Sequence, residues 1–201
     1  MSSAFGVGNA HFRTGSKNGF VDTVAFGAYR NEVFEKIGYF DEDLIRNQDD
    51  EFNFRLLQNG FKIYLNSNIK SKYYVRASFS KLYKQYYQYG YWKVYVNKKH
   101  KAVTSIRQLV PLFFVLFLFL GFTLSFLHWI LGTLFSLGLL AYIGLAIVFA
   151  SQKSTSFEKI TGIAYTFFLL HFSYGLGYLV GIFDFIALNK GPRISSQKLT
   201  R

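Results

Sequence analysis

The chain has 201 residues, enough for one or two domains, and it is 51% hydrophobic and 20% aromatic, which is high for a soluble protein. It contains no cysteine, which excludes disulfides and thiolate metal sites. The formal net charge of +12 is unevenly spread, because nine of the eleven acids lie in residues 22–51, whereas residues 52–107 hold no acid and twelve Lys and Arg.

The first 46 residues are predicted to contain a short strand and a short helix. Residues 1–20 are rich in Gly, Ser and Asn and favour a loop, and they lack the basic and then apolar pattern of a signal peptide. Residues 20–26 suit a short buried strand containing Asp22, and an acid in that setting is either neutralised by its neighbours or functional. Residues 31–37 predict a helix that ends at Gly38.

The most informative stretch is Asn-Gln-Asp-Asp-Glu-Phe-Asn-Phe-Arg, residues 47–55. Asn47 is expected to cap a helix through its side-chain oxygen. The first turn then carries three acids where the helix dipole favours negative charge: Asp49, Asp50 and Glu51. Glu51 lies four residues before Arg55, so these two side chains can pair on one face.

This acidic helix has two interpretations. Phe52 and Leu56 are four residues apart and can face a core, which is typical of a well-capped surface helix. Alternatively, one of the carboxylates is a general base. The pattern alone favours the surface helix, so the rest of the chain has to decide.

The remaining residues up to 77 complete a small mixed α/β region. A turn at residues 59–60 precedes an alternating strand at residues 61–65, and residues 72–75 suit another strand. These short elements provide a thin core for an independent domain.

Residues 78–107 are predicted to form an amphipathic interfacial helix and a basic linker. One broad face carries apolar and aromatic residues at helical spacing: Phe79, Leu82, Tyr83, Tyr86, Tyr87 and Gly90. The other face carries polar residues: Lys81, Lys84 and Gln85. Tyrosine, tryptophan and lysine together fit a helix at a membrane surface, although a core helix with an aromatic face is the alternative. Because long apolar runs follow, the basic charge favours membrane lipids with anionic headgroups and not nucleic acid as the partner.

Two apolar runs follow, each long enough to cross a bilayer. Residues 109–128 and 129–150 carry no Asp, Glu, Lys or Arg, and a helix rises about 1.5 Å per residue against a hydrocarbon layer of about 30 Å. Ser125, His128 and Trp129 mark the turn of the resulting hairpin. Both outer flanks are basic, so the positive-inside rule places them in the cytoplasm.

A third apolar run, residues 160–188, contains His171, Asp184 and several glycines. If it crossed the membrane, the basic tail at residues 189–201 would lie outside, against the charge rule. We therefore expect an interfacial or re-entrant segment and a cytoplasmic C-terminus. The glycines would also allow close helix packing.

Six stretches share one family pattern: residues 5–10 (Phe-Gly-Val-Gly-Asn-Ala), 21–30, 32–38, 40–42 (Phe-Asp-Glu), 48–55 and 171–177 (His-Phe-Ser-Tyr-Gly-Leu-Gly). In this order they resemble the second half of a family 2 glycosyltransferase of the membrane-anchored, succinoglycan-type exopolysaccharide enzymes. The resemblance implies an α/β fold plus membrane α-helices, with a partial GT-A-like acceptor subdomain. The implied divisions are a catalytic part at 1–77, an interfacial helix and linker at 78–107, a membrane segment at 108–188 and a basic tail at 189–201.

The resemblance also implies roles for the acidic motif. Asp49 would be the catalytic base that takes the proton from an acceptor hydroxyl while the sugar leaves a nucleoside diphosphate, with inversion at the anomeric carbon. Asp22, Gln48, Glu51 and Arg55 would bind the acceptor. Gln48 stands where the family has Glu, and Arg55 would orient the acids.

A second family motif, Gln-x-x-Arg-Trp, is matched by Gln88-Tyr-Gly-Tyr-Trp92. By resemblance, Gln88 and Trp92 belong to a lid over the donor. Tyr91 stands where the family has an Arg that helps to hold the diphosphate.

The implied reaction needs partners and a cofactor. These are a nucleotide-sugar donor, a glycan or lipid-linked acceptor, and Mg or Mn held by an Asp-x-Asp of the N-terminal nucleotide-binding half. No metal ligands are identified in the sequence, because the Asp-Glu-Asp at residues 41–43 is interpreted as a turn. The chain is thus expected to be the acceptor-and-anchor portion of an inner-membrane, multi-pass enzyme with its soluble part in the cytoplasm, and a separate N-terminal half is a candidate partner.

Two other interpretations stay open. The first is a non-catalytic membrane anchor or partner-docking module, an inactive remnant of such an enzyme. The second, a small channel or transporter, is weaker because Asp184 is the one acid or base besides histidine in the apolar runs.

Overall fold

The computed structural model describes residues 3–7, 18–70, 74, 78–104 and 106–197. Within these ranges a small α/β unit at residues 18–70 precedes a group of long helices. Before both lies helix α1, Ala4–Val7, in a region for which the sequence predicted a loop. The strand expected at residues 72–75 lies largely outside the described residues.

The α/β unit is built around a two-stranded antiparallel sheet. Strand β1 is Gly19–Val21 and strand β2 is Ile63–Leu65. Helices α2 (Asn31–Ile37) and α3 (Gln48–Gln58) share one core with the sheet. The buried members of this core are Val33, Phe52, Leu56 and Ile63. The predicted placement of Phe52 and Leu56 in a core is therefore confirmed, and the core is as small as the sequence suggested.

Two local predictions are wrong. Strand β1 has three residues because its partner β2 is equally short, so Asp22 follows the strand with its side chain 50% exposed instead of buried within it. Asn47 does not cap α3. It adopts a left-handed conformation with φ of 63°, and its side-chain amide donates to the carbonyl of Tyr89 at 2.9 Å. Asn47 therefore ties the start of α3 to the next helix.

That next helix, α4 (Phe79–His100), is surrounded by protein along its middle. Ser78 caps it by accepting a hydrogen bond from the amide of Lys81 at 3.3 Å. Every residue from 90 to 94 is buried. Gln85, predicted on the polar face, is 1% exposed and donates to the Tyr89 hydroxyl at 2.8 Å, whereas Lys81 and Lys84 on that face are exposed as predicted. The alternative of a core helix with an aromatic face thus fits the packing, while a location at the membrane surface stays a prediction.

The predicted hairpin is present as helices α5 (Val110–Ser125) and α6 (Trp129–Ser151). A 3-10 turn, Ile106–Leu109, leads into α5. Both helices are long and apolar enough to cross a membrane. Their buried residues all lie in the half away from the turn: Leu112, Val115, Ala146 and Ala150. The half next to the turn exposes mainly apolar side chains, as expected for contact with lipid.

The third apolar run is a single continuous helix. Helix α7 (Phe157–Gly181) continues directly into a π-helical segment, Ile182–Ala187, and together they are long and apolar enough to cross a membrane. The re-entrant alternative is therefore wrong, since the chain does not turn back within this run. Whether the helix spans the bilayer or lies at its surface stays a prediction.

Helices α4 and α7 run parallel and in close contact. Phe79 contacts Tyr165 near their starts, and the Lys98 ammonium donates to the carbonyl of Phe185 near their ends. Glycine makes this approach possible, because a Cβ on Gly177 would collide with the backbone of Tyr87. After the π-helical segment the chain returns along α4 and forms a short helix, α8 (Ile194–Gln197).

Candidate active site at the start of helix α3

The three acids at the start of α3 have different environments. Asp49 is exposed, and its Oδ1 accepts a hydrogen bond from the backbone amide of Asp50 at 3.0 Å. Asp50 forms an ion pair with Lys93 of α4, whose side chain is 1% exposed. Glu51 is fully buried. Of the three acids, Asp49 is therefore the most exposed to an incoming substrate.

Glu51 lies at the centre of a charged network. It accepts hydrogen bonds from Arg55 at 2.8 Å and faces His100 at 2.9 Å and Lys99 at 3.3 Å. Burial alone would raise the pKa of the Glu51 carboxyl, but the hydrogen bonds from Arg55 and His100 outweigh it, so this pKa lies below its usual value. The predicted Glu51–Arg55 pair is thus confirmed within α3, and the contacts of Glu51 with Lys99 and His100 join α3 to the basic end of α4.

Arg55 and Gln48 both contact the chain that precedes α3. The Arg55 guanidinium donates to the carbonyl of Tyr39 at 2.8 Å and also to that of Ile37. Gln48 is exposed, and its side-chain amide lies 3.5 Å from the carbonyl of Asp41. Both side chains therefore help to fix the loop between α2 and α3, and their predicted acceptor-binding role stays a prediction.

Asp22 connects the α/β unit to the membrane hairpin. Its carboxylate lies 2.8 Å from the guanidinium of Arg107, in the turn that leads into α5. Burial lowers the pKa of the Lys93 ammonium and the charge of Asp50 opposes that shift, with smaller effects from Arg107 and Asp49. We call these five residues the boundary cluster, because the Asp50–Lys93 pair joins the α/β unit to α4 and the Asp22–Arg107 pair joins it to the turn before the hairpin.

A buried polar side chain positions the loop that carries Asp22. Asn53 is fully buried, and its amide donates to Thr23 Oγ1 at 2.9 Å and to the carbonyl of Val24 at 2.8 Å. The Tyr29 hydroxyl donates to Asn53 Oδ1 at 2.9 Å. Burial and the charge of Asp49 raise the pKa of Tyr29. Tyr29 therefore lies within electrostatic range of Asp49.

Gln88 and Trp92, predicted to belong to a donor lid, are each 1% exposed. Both donate to the carbonyl of Ser196 in the C-terminal segment, Trp92 Nε1 at 3.0 Å and Gln88 Nε2 at 3.3 Å. Tyr91 contacts the same segment. The structure thus places these side chains against the chain's own tail, and their contact with a donor stays a prediction.

Several cations beside the acids were not predicted as site residues: Lys93, Lys99, His100 and Arg107. Lys93 had a signal in the sequence, because it is a lone cation between Trp92 and Val94 in the aromatic part of α4. Lys99 and Arg107 had been interpreted only as membrane-facing charge. Sequence spacing could not pair them with acids that lie 48 to 85 residues earlier in the chain.

A divalent cation, when bound in such a site, would neutralise the leaving diphosphate. Within the described ranges no three His, Asp or Glu side chains come together as metal ligands. The described residues of this chain therefore do not provide a Mg or Mn site by themselves.

Two curated proteins resemble the chain. The first, "Succinoglycan biosynthesis protein ExoA" of Rhizobium meliloti (strain 1021), is 26% identical over 185 residues, which cover 92% of this chain and 55% of that protein. The second, from Methanococcus voltae, is named dolichyl N-acetyl-alpha-D-glucosaminyl phosphate 3-beta-D-2,3-diacetamido-2,3-dideoxy-beta-D-glucuronosyltransferase. It is 40% identical over 84 residues, which cover 41% of this chain and 26% of that protein.

The chain spans about half the length of the first relative and about a quarter of the second. No family model matches the sequence, and no solved structure matches it. The two curated matches confirm the resemblance predicted from the sequence: over nearly its whole length, the chain is similar to a membrane-anchored family 2 glycosyltransferase of the exopolysaccharide type.

Proposed function

We propose that the chain is the acceptor-binding and membrane-anchoring part of a glycosyltransferase. It would transfer a sugar from a nucleoside-diphosphate sugar to a lipid-linked or polysaccharide acceptor. The observation that supports this most is the exposed carboxylate of Asp49 at the start of α3. The start of α3 is fixed to α4 by the Asp50–Lys93 pair, and the boundary cluster also joins the α/β unit to the base of the apolar hairpin.

The surrounding contacts suit Asp49 to the role of a general base. A sugar hydroxyl is a weak nucleophile, and a fixed carboxylate can take its proton as the new bond forms. The acceptor oxygen attacks the anomeric carbon, the bond from that carbon to the diphosphate oxygen breaks, and the proton passes to Asp49. Attack from the side opposite the diphosphate inverts the anomeric centre.

The neighbouring acids would support this step without taking part in it. Asp50 is paired with Lys93, and Glu51 is buried among cations. Because both pairs anchor α3 to α4, the Asp49 backbone is held in place while its side chain faces outward. Asp22 and Gln48 are the predicted acceptor-binding residues that also have exposed side chains.

The location of this site suits an acceptor that arrives in a bilayer. Asp22 pairs with Arg107 immediately before the apolar hairpin begins, so the boundary cluster would lie where hydrocarbon meets headgroups. We place the protein in the inner membrane with the α/β unit and the C-terminus in the cytoplasm, as the basic flanks of the hairpin predict.

The test is sugar transfer by membranes that contain the chain, alone and together with the nucleotide-binding half of a related enzyme. The probes are radiolabelled UDP-hexoses and the endogenous lipid acceptors. Asp49→Asn should lower the rate by about 10²- to 10⁴-fold, the usual contribution of a general base, with the expression level unchanged. Asp43→Asn, the same change at another exposed acid, is the matched control.

Equal transfer by wild type and Asp49→Asn would remove Asp49 as the base. If no combination transfers sugar while the protein is stable in the membrane, the non-catalytic anchor becomes the better interpretation.

A further inference from the structure

The last described part of the chain binds the middle of helix α4. We call residues 192–196 the C-terminal strap. Ser196 is 2% exposed, and its carbonyl accepts hydrogen bonds from both Trp92 Nε1 and Gln88 Nε2. Two side chains one turn apart on α4 thus converge on one backbone oxygen.

The strap has a second attachment one residue before Trp92 on α4. The Tyr91 hydroxyl accepts from the backbone amide of Arg193 at 3.0 Å and donates to Asp184 Oδ2 at 3.0 Å. The Arg193 guanidinium donates to both oxygens of Asp184, with Nη2 2.8 Å from Oδ1. A charge-assisted, two-point contact of this kind is stronger than a neutral hydrogen bond. Asp184 lies in the π-helical segment, so the strap joins α4 to the end of α7.

The same turn of α4 holds the segment that precedes Asp49. Gln88 Oε1 accepts from the Arg46 guanidinium at 3.2 Å, and the Asn47 side chain donates to the carbonyl of Tyr89. Gln88 therefore contacts the strap with its amide nitrogen and Arg46, two residues before α3, with its amide oxygen. The contacts thus run from the strap to the segment that leads into Asp49.

We propose that the strap is a positioning element for the start of α3. Tyr91 and Trp92 hold the strap, the strap holds Gln88, and Gln88 holds the segment that leads into α3. This inference rests on the proposed function of Asp49. Under this proposal the three motif residues hold the chain's own C-terminal strap and not the donor. It also accounts for Tyr91, because an Arg at this position would place a second guanidinium beside Arg193 and compete for Asp184.

Strap docking can be measured without transfer activity. In the full chain in detergent, limited trypsin should cut slowly after Arg193 and readily after Lys153, an exposed residue between α6 and α7. Tyr91→Phe keeps the ring but loses two hydrogen bonds, and Trp92→Phe loses one. Each should raise the ratio of cleavage after Arg193 to cleavage after Lys153 by about three- to tenfold per hydrogen bond lost, so the effect of Tyr91→Phe should be the larger.

Two matched controls should leave this ratio unchanged. Trp129→Phe makes the same change at the turn of the hairpin, where Trp129 is 74% exposed. Ser196→Ala removes a hydroxyl for which no hydrogen-bond partner is found within the described residues, and it keeps the backbone carbonyl that docks. An unchanged ratio in both Tyr91→Phe and Trp92→Phe would overturn the docking.

Positioning is tested by hydrogen exchange. In Tyr91→Phe, the amides of residues 47–51 should exchange faster by the same three- to tenfold factor, while those of α2 stay at the wild-type rate. Faster cleavage with unchanged exchange at residues 47–51 would overturn the positioning role. Neither the cleavage ratio nor the exchange rate depends on sugar transfer. A failure of the proposed function of Asp49 would therefore show separately, in the Asp49→Asn assay.

Discussion

Lys93 and Asp50 form an ion pair in which the Lys93 side chain is 1% exposed and the Asp50 side chain is 23% exposed. Burying an ammonium group costs several kcal/mol unless a carboxylate faces it. Lys93 lies in the fully buried middle of α4, and Asp50 lies in the first turn of α3 beside Asp49. This pair therefore fixes the start of α3, and it also makes the stability of α4 depend on the Asp50 carboxylate.

We expect Asp50→Asn to destabilise the protein by about 3 kcal/mol, because removing one partner leaves the other charge buried and uncompensated. The measurement is the thermal unfolding midpoint of the full chain in detergent. Asp43→Asn, at an exposed acid, should leave the midpoint unchanged.

A double variant separates lost charge pairing from lost packing. Asp50→Asn with Lys93→Met removes both charges and keeps an unbranched side chain of similar length, so most of the lost stability should return. A double variant that is no more stable than Asp50→Asn would show that the pairing is not what Asp50 contributes.

The network around Glu51 predicts acid sensitivity. The pKa of Glu51 is lower in the folded protein than its usual value of 4.5, since hydrogen bonds from Arg55 and His100 outweigh burial. A lowered folded pKa means that Glu51 contributes its full stability above pH 4.5 and loses it as the pH falls through the folded pKa. The unfolding midpoint should therefore drop in that range, and Glu51→Gln should flatten the profile.

Glu32→Gln is the control for this pH profile. Glu32 is an exposed acid whose contact with Arg30 is a surface pair, and such pairs contribute little. Its variant should keep the wild-type drop below pH 4.5. A Glu51→Gln profile that fell as steeply as the wild type would mean that other acids cause the acid sensitivity.

Features set by local spacing were predictable. The pair Glu51–Arg55 and the core pair Phe52–Leu56 each lie four residues apart, so the helical period alone brings them together. The hairpin was predictable for a similar reason, because the length of an uncharged apolar run decides whether it can span a bilayer.

Features set by distant partners were not predictable. Asn47 meets Tyr89, 42 residues later, and this contact replaces the helix cap that its residue type suggested. Trp92 meets Ser196, 104 residues later, so its family motif could not reveal what it binds in this chain. Such pairings depend on how α4 packs against α7, which no local pattern determines.

That packing gives a prediction for two glycines of α7. Gly177→Ala should destabilise the protein by about 1–3 kcal/mol, because the added Cβ would collide with the backbone of Tyr87, which cannot yield as a side-chain tip can. Gly162→Ala on the same helix has nothing within 4 Å of the new Cβ. It should be neutral or stabilise by up to about 1 kcal/mol through helix propensity.

Comparing Gly177→Ala with Gly162→Ala separates the effect of the α4–α7 contact on stability from the effect of alanine on α7 itself. Thermal midpoints in detergent are the measurement, and hydrogen exchange of α4 should rise in Gly177→Ala alone. Equal midpoints for both variants would contradict the close approach of α4 and α7.

The contacts of α7 with the hairpin bear on membrane topology. Phe168 of α7 contacts Phe114 of α5, and His171 of α7 contacts Tyr142 of α6. Both hairpin residues lie in the half of their helix that is away from the turn. The basic tail after α7 predicts a surface location for this helix, with a cytoplasmic C-terminus, over a third crossing.

The absence of native cysteine makes this topology directly testable, because single cysteines can be added without any background. Three exposed positions suffice: His128 at the hairpin turn, Gln152 before α7 and Gly191 after it. On intact cells a membrane-impermeant maleimide should label His128→Cys alone, and permeabilisation should expose the other two. If Gly191→Cys were labelled from outside like His128→Cys, α7 would cross the bilayer, and the strap would then be separated from a cytoplasmic Asp49. Labelling of Gln152→Cys and Gly191→Cys only after permeabilisation would place the strap, α4 and the proposed base on the cytoplasmic side.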